Sequence, residues 1–180
     1  MTKQTVWVFG DQLNRSIGAL REASSETHQV LMVESASKIK SRRWHIQRSH
    51  FFVASMRRFA DELRSDGFHV DYRVAPSMRE GVQQHIAEMQ PSAVVTTEPN
   101  SFAARKLVKS LGIQTVPSNQ FLCHPDEYSQ FMGERRTIKM EDFYRWQRRR
   151  LNVLMDGDQP CDGRWRKPIG QATAELPRRA

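Results

Sequence analysis

Short apolar runs alternating with helical stretches constrain this chain more than any other feature. The first run, Thr5-Val6-Trp7-Val8-Phe9, is β-prone and nearly free of polar breaks. That is the pattern of a strand buried on both faces of a parallel sheet. Gly10 then lets the backbone turn sharply or approach a neighbour, and Asp11 sets an acceptor at the strand's carboxyl end. Gln29 to Glu34 is a second run of the same kind and again ends in a carboxylate. If the two strands are parallel neighbours, Asp11 and Glu34 share one edge of the sheet, where open α/β sheets bind ligands. Ser35 to Arg43 turns polar and basic and reads as a loop over that edge.

Trp44 to Asp66 carries the longest helical pattern. Phe52, Met56, Phe59 and Leu63 fall on one helix face, a stripe that serves core packing more readily than a cofactor. Phe51 lies off the stripe, and Gly67 stands where a helix C-terminal cap belongs. Phe68 to Val74 alternates, so it reads as a strand exposed on one side near the sheet edge. Ser77 caps a helix over Met78 to Met89, with Glu80 completing a capping box. Ser92 to Thr97 is a fourth strand, Phe102 to Leu111 a helix stopped by Gly112, and Ile113 to Pro117 a fifth strand. This succession predicts an α/β, Rossmann-like three-layer fold with a five-stranded parallel sheet in order 3-2-1-4-5. It occupies residues 1–135. In 136–180 the alternation is gone: Met140 to Met155 reads as a basic helix and Gly157 to Ala180 as a loose tail, after a short helix at Pro125 to Phe131.

Composition limits the function classes. A chain of 180 residues supports one domain with a real core, and 38% hydrophobic with 27% charged residues fits a soluble globular protein. No apolar run approaches the ~20 residues of a membrane helix, and Met1 to Gln4 leads straight into a strand, so the expectation is cytoplasmic with no membrane contact. Cys123 and Cys161 share no CxxC spacing, which argues against a metal site or a disulfide framework. The net charge of +8 concentrates at Lys38 to Arg48, at Arg135 to Arg150 and at the C-terminal end. Such runs are commonly solvated faces, but a weak DNA contact through Lys139 to Arg150 is an alternative.

The catalytic signatures of known enzyme classes are missing, since there is no GxGxxG, P-loop, HExxH or GxSxG. No catalytic residue and no metal ligand is predicted. Asp11, Glu34 and Glu98 end three strands expected to be neighbours, and together they could hydrogen-bond a polar ring or a ribityl chain. The plainer alternative is three solvated turn acids.

Val8-Phe9-Gly10-Asp11-Gln12-Leu13, Thr97-Glu98-Pro99 and Gln120-Phe121-Leu122-Cys123 resemble the N-terminal domain of photolyase-related proteins. The resemblance is to the bacterial cryptochrome and (6-4) photolyase group that carries an iron–sulfur cluster. Phe52 to Leu63 is similar to that family's first long helix, and Lys139 to Arg145 with Gly163-Arg164-Trp165 to its passage out of the α/β domain. The resemblance implies an antenna domain that holds a light-harvesting lumazine, 6,7-dimethyl-8-ribityllumazine, near the strand ends. By position Phe9, Gly10, Asp11 and Glu34 carry over as pocket residues, Phe52 as a hydrophobic wall and Glu98 as a weaker candidate. Lys38 falls where the family has a second pocket glutamate, which reverses the charge there.

Two further departures mark this chain: Trp44-His45 stands for the family's paired histidines, and the match fades after Trp165. FAD and the iron–sulfur cluster are expected only in a following helical domain that these residues lack. The expectation is therefore a truncated or stand-alone antenna domain without repair activity of its own, with a separate FAD-binding helical domain as its partner. The alternatives are a nucleic-acid-binding module using the basic helix and a nucleotide-binding enzyme on a similar fold.

Overall fold

The computed structural model of the chain describes residues 2–40, 44–161, 163 and 165, in two compact units, Met1–Leu122 and Cys123–Ala180. The first unit runs β1 (Gln4–Val8), α1 (Gly18–Arg21), β2 (His28–Ser35), α2 (Ala36–Lys40), α3 (Ile46–Ser65), β3 (Val70–Ala75), α4 (Met78–Met89), β4 (Val94–Thr97), α5 (Phe102–Ser110) and β5 (Gln114–Val116). Its five strands form one all-parallel sheet in the order β3-β2-β1-β4-β5. This is the predicted architecture, with β1 central: Val6 faces Val30 on one side and Val95 on the other.

Alternation along β1 explains why both faces of the sheet are covered. Val6 and Val8 join an apolar cluster with Leu20 of α1 and with Met56, Phe59 and Leu63 of α3. Trp7 joins the opposite cluster, with Val82 of α4 and Val108 of α5. Val6 is 1% exposed and Trp7 0%. Burying an apolar side chain of this size stabilises by roughly 1.5–3 kcal/mol, so the central strand anchors both layers. Gly81 lets α4 lie close on the sheet, because a Cβ there would stand 2.6 Å from Val33 Cγ1.

Local chemistry sets the helix ends. The Ser77 hydroxyl accepts from the Glu80 N–H at 3.1 Å and opens α4. The predicted capping box is altered, since the Glu80 carboxylate accepts the Ser77 hydroxyl at 2.7 Å. Ser101 caps α5 through the Ala104 N–H. Within the stretch read as a loop from Ser35 to Arg43, Ser35 ends β2 and Ala36–Lys40 is the short helix α2, which corrects that reading; residues 41–43 lie outside the described residues.

The second unit contains α6 (Pro125–Met132), α7 (Met140–Leu151) and a hairpin of β6 (Met155–Asp156) with β7 (Gln159–Pro160). The basic helix is shorter than the predicted span to Met155. Asn152 takes a left-handed conformation, φ 52°, which an asparagine tolerates and which ends the helix. The stretch from Gly157 read as a loose tail begins instead in the hairpin, whose turn uses Gly157 at φ +57°. Residues 162, 164 and 166–180 of that predicted tail lie outside the described residues. Among the described residues no helix is long and apolar enough to cross a membrane.

Candidate functional site

Parallel pairing brings the carboxyl ends of β1, β2, β3 and β4 to one rim of the sheet. The segments leaving that rim enclose a cavity of about 550 Å3. Of the residues singled out in the sequence, Phe9, Gly10, Asp11, Glu34, Lys38 and Phe52 line it. Glu98 is not among the lining residues. Its N–H donates to the Val116 carbonyl at 2.8 Å, its own carbonyl accepts from Gln12 Nε2 at 3.1 Å, and its carboxylate lies 3.7 Å from Arg105.

Gly10 shapes the apolar wall. A Cβ at this position would stand 2.4 Å from Phe52 Cζ and 2.9 Å from Met56 Sδ. Its missing side chain is the space that the α3 side chains occupy. Trp44 meets Phe52 edge-on, with centroids 6.1 Å apart, and extends the aromatic wall. Val33, Met78 and Leu107 add apolar surface to the same lining.

The two carboxylates differ in environment. Glu34 is nearly buried and accepts from Arg57 Nε at 3.1 Å, from Arg57 Nη2 at 2.9 Å and from the Tyr72 hydroxyl at 2.8 Å. Burial, reinforced by the hydrogen bond to Glu34, pushes the Tyr72 hydroxyl up to about 12, so it remains a donor. Glu34 therefore reaches the cavity with its charge largely offset by Arg57. Asp11 is exposed and accepts from Asn100 Nδ2 at 3.1 Å, while its carbonyl accepts from Gln120 Nε2 at 3.1 Å. These bonds knit the loops after β1, β4 and β5.

Several lining residues carried no signal strong enough for the sequence reading to select them. In sequence Trp44 stands out only as a departure from the family's paired histidines, and Ser77 only as a helix cap; both line the cavity. Arg79, Asn100 and Ser101 also line the cavity. Ser101 opens a helix after a strand, a pattern visible in sequence, but nothing in the neighbourhood of Arg79 marks it.

The second unit holds a separate cavity of about 540 Å3, lined by Phe131, Arg135, Asp142, Arg145, Trp146 and Arg149 among others. Phe131 stacks on Trp146 with centroids 4.7 Å apart, and Arg135 lies over Phe131 at 5.2 Å. The structure sorts the arginines of α7 by role. Arg148 is buried and donates to the Val153 carbonyl at 3.1 Å and to that of Leu154, so it fastens the turn after the helix. Arg150 pairs with Glu127. Arg145 and Arg149 are exposed beside the cavity, each over the Trp165 ring at 5.9 and 4.5 Å. Among the described residues no group of three or more His, Cys, Asp or Glu is arranged to hold a metal ion.

A family model described as deoxyribodipyrimidine photo-lyase-related protein matches residues 6–166. The chain is 32% identical over 174 residues to a (6-4) photolyase of Agrobacterium fabrum (strain C58 / ATCC 33970), an alignment covering 90% of this chain and 34% of that protein. The chain thus spans about a third of the length of this curated relative.

Proposed function

Because the chain belongs to the deoxyribodipyrimidine photo-lyase-related protein family, we propose that its α/β unit holds a light-harvesting chromophore at the carboxyl ends of its strands. The supporting observation is one cavity that gathers Phe9, Gly10, Asp11, Glu34, Lys38 and Phe52 from four separate segments. Its donor and acceptor set suits a planar conjugated ring. Phe9, Phe52 and Trp44 supply faces for the ring, while Asp11 and Asn100 supply a polar edge. The candidate ligand is 6,7-dimethyl-8-ribityllumazine.

A bound chromophore of this kind absorbs near-UV or blue light and passes the excitation to a flavin. The residues here bind and orient it and keep water from its ring. Gly10 and the aromatic wall fix the ring plane, and Asp11 accepts from its polar edge. Since the chain spans about a third of the (6-4) photolyase it resembles, lesion repair by these residues alone is not part of the proposal. The flavin acceptor belongs to a partner segment or chain. The test is the absorbance spectrum of the purified protein, with mass spectrometry of whatever is released on denaturation. A conjugated chromophore released in stoichiometric amount supports the reading; a colourless protein that also fails to take up added lumazine overturns it.

A second reading concerns α7. Arg135, Arg145 and Arg149 meet a single carboxylate, Asp142, around the cavity of the second unit, which favours contact with phosphates of a nucleic acid. Steeply salt-dependent binding of duplex DNA tests it.

A further inference from the structure

Resting on the chromophore reading, we infer that Arg57 and Tyr72 are positioning residues that hold Glu34 as a fixed acceptor for hydroxyl groups on the ligand's tail. Glu34 lines the cavity, whereas Arg57 and Tyr72 stand behind it, outside the lining. The three side chains come from three elements, β2, α3 and β3. Register brings two of them together. Tyr72 pairs with Met32 across the sheet, so Tyr72 and Glu34 are two residues apart on one face of neighbouring strands. That face carries the apolar cluster in which Met32 and Tyr72 pack with Met56 and Phe59 of α3, and Arg57 reaches Glu34 from the same helix.

The two carboxylate oxygens are loaded unequally. Glu34 Oε2 accepts from Arg57 Nε at 3.1 Å, from Arg57 Nη2 at 2.9 Å and from the Tyr72 hydroxyl at 2.8 Å. Among the described residues Oε1 accepts only from Arg57 Nη2, at 3.2 Å, a donor it shares with Oε2. Oε2 is therefore fully used, and Oε1 keeps acceptor capacity. The planar guanidinium fork grips both oxygens and fixes the plane of the carboxylate. The Glu34 side chain is 11% exposed against 56% for Arg57. Arg57 thus keeps much of its charge in water and acts on the cavity through the geometry of Glu34. Asp11 and Asn100 meet the ring edge in the chromophore reading, which leaves Glu34 Oε1 for a neutral tail rich in hydroxyl donors.

Two ligands with the same ring test the inference: 6,7-dimethyl-8-ribityllumazine and 6,7,8-trimethyllumazine, in which a methyl group replaces the ribityl chain. Each is titrated into the full chain and followed by fluorescence. The ribityl compound should bind about tenfold tighter or better, the effect of a hydrogen bond to a charged group. Arg57→Gln and Tyr72→Phe should each shrink that advantage, Arg57→Gln the more, and leave the affinity for the trimethyl compound unchanged. Arg57→Lys keeps the charge without the fork and should behave as Arg57→Gln does. Thermal unfolding verifies that each variant folds. An equal loss for both ligands would mark a merely structural role and overturn the inference. An advantage unchanged in the variants, or fully restored by Arg57→Lys, overturns it as well. Equal binding of the two compounds by the natural chain overturns the inference and leaves the chromophore reading standing. Binding of neither overturns both.

Discussion

The Phe52 ring occupies the space in which a side chain at Gly10 would sit, with Cζ only 2.4 Å from the ideal Cβ position. The strand end and the longest helix are thus fitted to each other at the cavity wall, and a methyl group is enough to part them. Gly10→Ala should destabilise the α/β unit by about 1–3 kcal/mol, the usual cost of overpacking. It should also push the Phe52 and Met56 side chains into the cavity. Replacing Phe52 by Leu in the same chain should recover part of the loss. Urea unfolding of the two single variants and the double variant measures the coupling, and simple additivity would show that the two residues do not compete for one space.

Asp11 accepts a side-chain hydrogen bond from Asn100 and lines the cavity. A hydrogen bond to a charged group contributes roughly 1.5–3 kcal/mol, so Asp11→Ala should weaken chromophore binding about tenfold to a hundredfold. The fold should survive, since the side chain is exposed. Fluorescence titration with the lumazine, alongside the unfolding midpoint, separates the two effects.

Glu34 calls for a different variant, because its carboxylate holds Arg57 and Tyr72. Glu34→Gln removes the charge and keeps the shape. The Tyr72 hydroxyl, raised to about 12 by burial and by Glu34, should then titrate at lower pH while burial keeps it above an ordinary tyrosine. Ultraviolet absorbance across alkaline pH follows the tyrosines. An unchanged titration would mean that burial alone sets this group.

Asp71 supplies a pH dependence at the opposite end of the sheet. His85 is fully buried, with Nδ1 2.6 Å from Asp71 Oδ2 and Nε2 2.8 Å from the Thr5 hydroxyl. Burial alone would raise the Asp71 carboxyl, but hydrogen bonds from His85 and Arg73 outweigh it and hold the carboxyl below its ordinary value. A carboxyl lowered by folding stabilises fully above its unfolded value of about 3.9, and that contribution fades as pH falls through the folded value. Asp71→Asn should therefore be less stable than the natural sequence at neutral pH, with the gap closing below about pH 4. Urea midpoints at pH 7, 5 and 3 check this; a gap constant with pH would rule out the charge as its source.

If the second unit contacts duplex DNA, Arg145→Gln and Arg149→Gln should each lower the salt slope of binding by about one. Arg148→Gln should instead loosen the turn after α7, since its guanidinium holds the Val153 and Leu154 carbonyls. Fluorescence anisotropy across a salt series distinguishes the two outcomes. Equal slopes in all the variants would remove these arginines from any such contact.

The sequence by itself determined the elements and their order. The unbroken run from Thr5 to Phe9 required a doubly covered strand, and the stripe of Phe52, Met56, Phe59 and Leu63 required a helix facing the sheet. Ser77 and Gly112 marked their helix ends through nearest-neighbour hydrogen bonds and glycine's left-handed backbone. Such features are local, and the chain writes them within a few residues. The strand-end position of Asp11 and Glu34 also followed, because parallel topology gathers carboxyl ends on one rim.

What the tertiary structure decided was partnership. That Glu34 is held by Arg57 and Tyr72, that Thr5 meets His85, and that Arg79 donates to the Ser110 hydroxyl of α5 depends on register and on how each helix is rotated. Its place at a strand end makes Glu98 a companion of Asp11 and Glu34 in sequence, yet it stands outside the cavity lining. A shift of one residue along a strand turns its side chain to the other face, and the remaining displacement exceeds the ~3 Å span of a hydrogen bond. Periodicity records which face a residue takes. Only the packed chain fixes which atom it meets there.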